Sequence, residues 1–166
     1  MDKVATQVSP QDGRALRQAL GRFATGVTVI TTGADTGPLG ITANSFASVS
    51  LDPPLVLWAP AKSSSRFKPF TECDNFAIHV AADDQVALAD TFVKEGDAFD
   101  KLDWWRHDDG TPLIEDCLAR FHCTTETIHD AGDHVIVIGR VLSAVHRDGA
   151  PLIFAGGKYG QFTRLD

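Results

Sequence analysis

Between residues 25 and 58, β-branched and apolar runs alternate with short polar breaks, a rhythm that predicts strands rather than helices. Residues 25–32 (TGVTVITT) read as one strand. Residues 33–37 (GADTG) form a turn, and residues 39–44 (LGITAN) return as the partner strand of a hairpin. Residues 54–60 (PLVLWAP) form a continuous apolar run, the pattern of a strand buried on both faces. Further along, residues 75–82, 117–128 and 134–145 give three more strands, the last being the clearest in the chain. Residues 151–162 close with a final strand and a Gly-rich end.

Helical spacing is rarer. Ser9-Pro10 has the form of an N-cap with proline at the first helical position, and Leu16, Ala19, Leu20 and Phe23 follow on one face, predicting an amphipathic helix over 10–23. Serine capping predicts a short helix after residue 62 with Phe67 and Phe70 inward. Asp83 is expected to cap a helix that carries Val86, Ala89, Phe92 and Val93 on one side. Residues 94–112, rich in charge and Gly with two tryptophans, read as a long loop. Strands joined by short turns, with two or three helices, imply an antiparallel barrel rather than a βαβ sheet. Residues 1–12 are expected to be a flexible tail, and residues 13–166 a single domain.

Composition narrows the function classes. The net charge of −7 opposes nucleic-acid binding, which needs a basic face. No run approaches the length of a bilayer span, and the N-terminus lacks the apolar core of a signal peptide, so a cytoplasmic protein without membrane association is expected. Three cysteines without a C-x-x-C pair predict reduced, mostly buried thiols. His122, His129 and His134 match no zinc spacing, and no metal is expected. A Rossmann Gly motif, a Walker loop and a G-x-S-x-G elbow are all missing from the sequence.

The informative chemistry lies at 40–66. Thr42, Asn44, Ser45, Ser48 and Ser50 stand just before the apolar strand, in a stretch whose Ile41, Phe46, Val49 and Leu51 are too apolar for a surface loop. Small polar residues let a planar heteroaromatic ring approach the backbone, and Asn offers both donor and acceptor. Lys62, Ser63, Ser64, Ser65 and Arg66 then combine hydroxyls and cations at a helix start, the donor set a phosphate requires. Either segment alone could be local backbone capping. Together, separated by one buried strand, they point to a nucleotide cofactor. Gly132, Asp133 and His134 put an imidazole beside a carboxylate at a strand mouth, where it could meet a ligand or serve structure.

The segments FATGVTVITT, GITANSFASVSLDPPLV, KSSSRFKPF, NFAIHV, GDHVIVIGRV and PLIFAGGKYG, in this order over about residues 13–162, resemble the short-chain flavin reductase family, whose members feed two-component flavin-dependent monooxygenases. The resemblance implies a mainly β fold, an antiparallel Greek-key split barrel with peripheral helices that binds FMN, acting as a homodimer. It implies hydride transfer from NADH or NADPH to FMN or FAD, with reduced flavin supplied to a partner monooxygenase. By position, Thr42, Ala43, Asn44 and Ser45 face the flavin ring. Gly40, Ile41 and Ser48 count among the cofactor-binding positions. Lys62, Ser63, Ser64, Ser65 and Arg66 hold the phosphate, His134 lies near the nicotinamide, and Tyr159 lies near the pocket. Ala155 and Gly156 depart from the family, which often has an arginine there. Two other functions fit the same barrel: a flavin-binding electron-transfer or redox-sensing protein, and a reductase of cobalamin or ferric complexes. The neighbouring Trp104 and Trp105, in a charged stretch, suggest either an interface or one tryptophan in the core and one on the surface.

Overall fold

The computed structural model describes residues 5–165; of the expected tail, residues 1–4 lie outside the described residues. Helix α1 (Gly13–Leu20) begins later than the Ser-Pro signal predicts, because Asp12 is the cap: its carboxylate accepts from the backbone N–H groups of Arg14 and Ala15, both at 3.0 Å. None of its residues is buried, and Leu20 and Phe23 stay exposed.

Strands β1 (Thr25–Gly26), β2 (Thr28–Ala34), β3 (Gly37–Ala43), β4 (Ala47–Leu51) and β5 (Pro54–Trp58) follow. Helix α2 (Phe67–Glu72), β6 (Asn75–Val80) and α3 (Val86–Lys94) come next, then β7 (Trp104–Arg106), β8 (Pro112–Ile114), β9 (Ala119–Ala131), β10 (His134–His146), β11 (Leu152–Ala155) and β12 (Lys158–Gln161). Seven strands form one antiparallel sheet in the order β3-β2-β6-β9-β10-β5-β4. The expected mainly β, antiparallel architecture is thus present.

The uninterrupted β-branched run of β2 has a physical cause. Its first five residues are buried on both faces. Ile30 points into the main core with Trp58, Phe70, Phe76 and Val137, whereas Val29 packs beneath α3 with Leu88, Phe92, Phe99 and Ile114. In the β5 run Val56 and Trp58 are buried on one face, whereas Leu55 and Leu57 on the opposite face are only half-buried, so the strand is not fully buried on both faces. Trp58 meets Phe70 edge-on at 5.3 Å, and burying this indole contributes about 3 kcal/mol. Strands β9 and β10 bend at two irregularities, after Ile138 and after Val141. At the first of these Gly139 leaves room for Phe76, whose Cζ would lie 2.5 Å from an added Cβ.

Four further expectations are corrected. The stretch 94–112 is not all loop, because Trp104–Arg106 pairs with Pro112–Ile114 as a small hairpin. The Gly-rich end forms a second strand: Gly156 (φ 58°) and Gly157 (φ 79°) make the β11–β12 turn, a conformation that excludes a bulky residue there. Helix α3 is preceded by Gln85 rather than capped by Asp83, and it buries Leu88, Ala89 and Phe92 while Val93 faces out. The serine cap of α2 is likewise not formed: Arg66 occupies the N-cap position with no side-chain cap bond. Phe70 is fully buried and Phe67 packs against the core, as expected. Trp104 packs on Phe99 at 5.1 Å, and the Trp105 indole N–H donates to Glu115, so the two tryptophans do not form an exposed pair.

Candidate functional site

The end of β3 is the shared wall of two clefts. One, of about 260 Å³, is lined by Ile41, Thr42, Ala43, Asn44 and Ser45 on one side, by Trp58, Ala59, Pro60 and Ala61 on another, and by Ser64 and His134. The second, of about 160 Å³, lies against Thr42, Ala43 and Asn44 from the side of Val27, Val93, Phe154 and Tyr159. Three separated segments that sequence reasoning assigned to one ligand therefore meet at one place.

The positions of these side chains follow from local bonds. Thr42 donates its hydroxyl to the Ala89 carbonyl at 2.6 Å, and Thr28 donates to the Ala43 carbonyl at 2.7 Å, fixing the end of β3 against α3 and β2. The Ser45 hydroxyl accepts from the Ala59 N–H at 2.9 Å, holding the end of β3 to the end of β5. Two of the predicted polar groups thus serve the backbone first. Asn44 is exposed, and its amide has no hydrogen bond among the described residues, so it is the free donor–acceptor pair at this corner. Trp58, in the cleft wall, has a buried Nε1–H without an acceptor among the described residues.

The segment 62–66 divides in two. Arg66 is not a free cation. Its guanidinium donates to the carbonyls of Gly40 (3.0 Å), Phe92 (2.7 Å) and Val93 (3.0 Å), pinning β3 to the C-terminal turn of α3, where a positive charge is also favoured by the helix dipole. Lys62 pairs with Asp130, whose side chain is largely exposed. Such surface pairs are worth about 0–1 kcal/mol, so an anionic ligand could take Asp130's place at little cost. The hydroxyls of Ser63 and Ser65 are exposed, and their backbone N–H groups have no partner among the described residues. Ser64 accepts from the Arg66 N–H at 3.2 Å, which shapes the turn. Small walls, an unpaired amide and a turn of free N–H and O–H donors fit a planar ring with a phosphate tail.

His134 lies at the mouth of the larger cleft, held by the Val135 N–H to Pro60 carbonyl bond and the Lys62 N–H to Asp133 carbonyl bond. Its Nδ1 lies 2.7 Å from the Asp133 carboxylate, which that hydrogen bond holds below the usual carboxylate range. With Nδ1–H donating to Asp133, Nε2 is the nitrogen left for a ligand. Tyr159 stacks edge-on with Phe154 at 5.7 Å, and burial together with Asp90 raises its phenol above the ordinary value, so it stays protonated.

Not every predicted position reaches the clefts. Gly40 is buried under Phe92, whose ring would lie 2.5 Å from an added Cβ, making it a packing position. Ser48 is exposed on β4, opposite Val56. Conversely, residues 59–61, Val27, Val93 and Phe154 line the clefts although nothing in their sequence marks them. They are apolar or small; the pairing of β10 with β5 and of β1 with β11 delivers residues 59–61, Val27 and Phe154, and the docking of α3 delivers Val93. The three thiols are free, and burial pushes Cys117 up to about 11 and Cys123 up to about 12, so neither is a nucleophile. No helix among the described residues is long and apolar enough to cross a membrane.

Comparison with known proteins adds to this geometry. A profile described as a flavin reductase like domain matches residues 20–163. The chain is 57% identical to an FMN reductase (NADH), SmoA, of Agrobacterium fabrum over 93% of this chain and 88% of that one. It is 39% identical to the reductase subunit HsaB of a flavin-dependent monooxygenase from Rhodococcus jostii, over 89% and 77%. It spans about half the length of some other curated relatives that it matches. Among solved structures, the NADH:FAD oxidoreductase SgcE6 of Streptomyces globisporus in complex with NAD and FAD fragments superimposes with a TM-score of 0.90, at 38% identity over 96% and 98% of the two chains.

Proposed function

The chain belongs to the flavin reductase-like domain family, and from that premise we propose that it is an NADH-dependent flavin reductase that passes hydride to FMN or FAD. The observation that carries this reading is the cleft in which the 41–45 corner, Ser64 and His134 meet across the Trp58 wall. Bound flavin supplies the hydride-accepting ring, and the protein supplies position.

Each residue then has a limited task. Asn44 hydrogen-bonds the polar edge of the ring, and Ala43 and Thr42 let it lie close to the backbone. The turn at Ser63, Ser64 and Ser65, with Lys62 released from Asp130, holds the phosphate. His134 presents Nε2 to the nicotinamide, oriented by Asp133. Arg66 acts indirectly by fixing β3, and Tyr159 with Phe154 bounds the second cleft. No side-chain nucleophile is required.

NADH is the proposed donor because the relative at 57% identity bears that name. The reduced flavin is proposed to serve a monooxygenase, since the relative from Rhodococcus is a reductase subunit of one. The domain of residues 13–166 works as a homodimer in the cytoplasm. Exposed Val49 and Leu51 on edge strand β4, and Leu142 and Val145 on the outer half of β10, supply an apolar face for a second copy. Free thiols suit a reducing compartment.

The test is steady-state loss of nicotinamide absorbance with each pairing of NADH or NADPH and FMN or FAD. Flavin-dependent turnover, fastest with NADH, is expected. A bound, spectroscopically visible flavin without turnover would instead indicate an electron-transfer or sensing protein, and turnover only with a cobalamin or ferric complex would move the substrate. Light scattering should give twice the chain mass, and Leu142→Asp should lower it.

A further inference from the structure

At the far end of the β2–β3 hairpin from the flavin cleft, three groups that the proposed reaction does not use converge. His107 and Asp109 sit on the turn of the β7–β8 hairpin, and His122 reaches them from β9. The Nε2 of His122 lies 2.8 Å from one Asp109 carboxylate oxygen, and the Nδ1 of His107 lies 3.1 Å from the other. The potential ligand atoms all lie within 4.8 Å of one another, and the two imidazole rings are 4.2 Å apart. In the sequence His122, His129 and His134 match no zinc spacing; the fold instead sets His122 beside His107.

We infer that His107, Asp109 and His122 form a binding site for a divalent transition metal of the zinc class, which ties the β7–β8 hairpin to the barrel. Two imidazole nitrogens and one carboxylate oxygen are donors that such borderline ions favour over magnesium or calcium. Ligands about 2.0–2.1 Å from a tetrahedral ion stand about 3.4 Å apart, close to the separations present here, so the ion fits with small side-chain movements. One ion would give both ring nitrogens and the carboxylate a common positive partner. The carboxylate is already oriented: the Thr111 N–H donates to it at 3.0 Å. A polar cleft of about 250 Å³ between Asp109, Thr111 and the Glu72–Asn75 side gives an ion access.

The site lies several residues along β2 from Thr28 and Ala43, at the Gly33 end, on the order of 15 Å from the flavin corner. Its role is structural, and it stands independently of the reductase reading.

The test is calorimetric titration of chelator-treated protein with Zn²⁺, with Co²⁺ as a spectroscopic probe. One ion per chain is expected, with visible Co²⁺ absorption of low-coordinate geometry and a higher melting temperature. His107→Ala, at a half-exposed position where folding is safe, and Asp109→Asn should each weaken binding by at least about tenfold. Cys73→Ser should leave binding unchanged, and His107→Ala should retain flavin turnover. Absence of saturable Zn²⁺ binding, or equal binding by wild type and both site variants, would overturn the inference. So would loss of binding only in Cys73→Ser.

Discussion

Two histidines, in two regions, show how one residue type is assigned opposite roles by its surroundings. His79, on β6, is fully buried between β2 and β8. Its Nδ1 lies 3.0 Å from the Val29 carbonyl, and its Nε2 accepts from the Ile114 N–H at 3.0 Å. Both nitrogens are spent on backbone, and the tautomer is fixed by its partners. Burial lowers its pKa to about 3, so it is neutral in the folded protein. His134, at the cleft mouth, is half-exposed and gives one nitrogen to Asp133, leaving the other free. The lesson is that the count of unspent donors and acceptors, more than residue identity, separates a brace from a binding group.

The comparison can be broken at the core first. His79→Leu should cost about 3 kcal/mol or more, because two buried backbone groups lose their partners; denaturant unfolding would measure it. The same residue should shape the acid response. The unfolded chain takes up a proton near pH 6.5, whereas the folded chain resists until about pH 3. Stability from this group is therefore complete above pH 6.5 and falls as the pH drops toward 3, by on the order of 5 kcal/mol in total. His79→Leu should flatten the stability profile in that window; an unchanged slope would remove His79 as the cause.

Between core and rim lies Arg66. Its loss leaves the carbonyls at Gly40, Phe92 and Val93 without a donor, so Arg66→Ala should cost about 2 kcal/mol. It should also weaken flavin binding by loosening β3, and added phosphate should inhibit the variant no less than the wild type. The smallest effect on stability belongs to His134→Ala, with a melting temperature within about 1–2 °C of wild type and a KM for NADH raised about tenfold, near 1.4 kcal/mol. Flavin affinity should change by less than about twofold; a collapse of flavin affinity at constant KM would reverse the assignment.

Much of this was legible in the sequence because it is local. The β-branched run at 25–32 marks a strand, which the structure breaks at Val27 into β1 and β2, and Phe67 and Phe70 face inward at helical spacing. The order of six motifs names the family, and the 42–45 corner and the serine turn carry donor chemistry wherever they fold. The failures are equally specific. Asp12 took the cap from Ser9 because its carboxylate reaches two N–H groups. Of the two arrangements open for Trp104 and Trp105, the one with Trp104 toward the core holds, because Phe99 offers it an apolar partner.

What the sequence determined alone was the strand pattern, the family and the kinds of groups available. Only the tertiary structure decided which groups remain available: that Arg66 is committed to three carbonyls, that Asn44 is not committed, and that His122 stands with His107. The reason is that hydrogen-bond satisfaction and side-chain convergence depend on contacts between residues distant along the chain, such as His122 with Asp109 or Ser45 with Ala59, and those contacts exist only once the strands have paired.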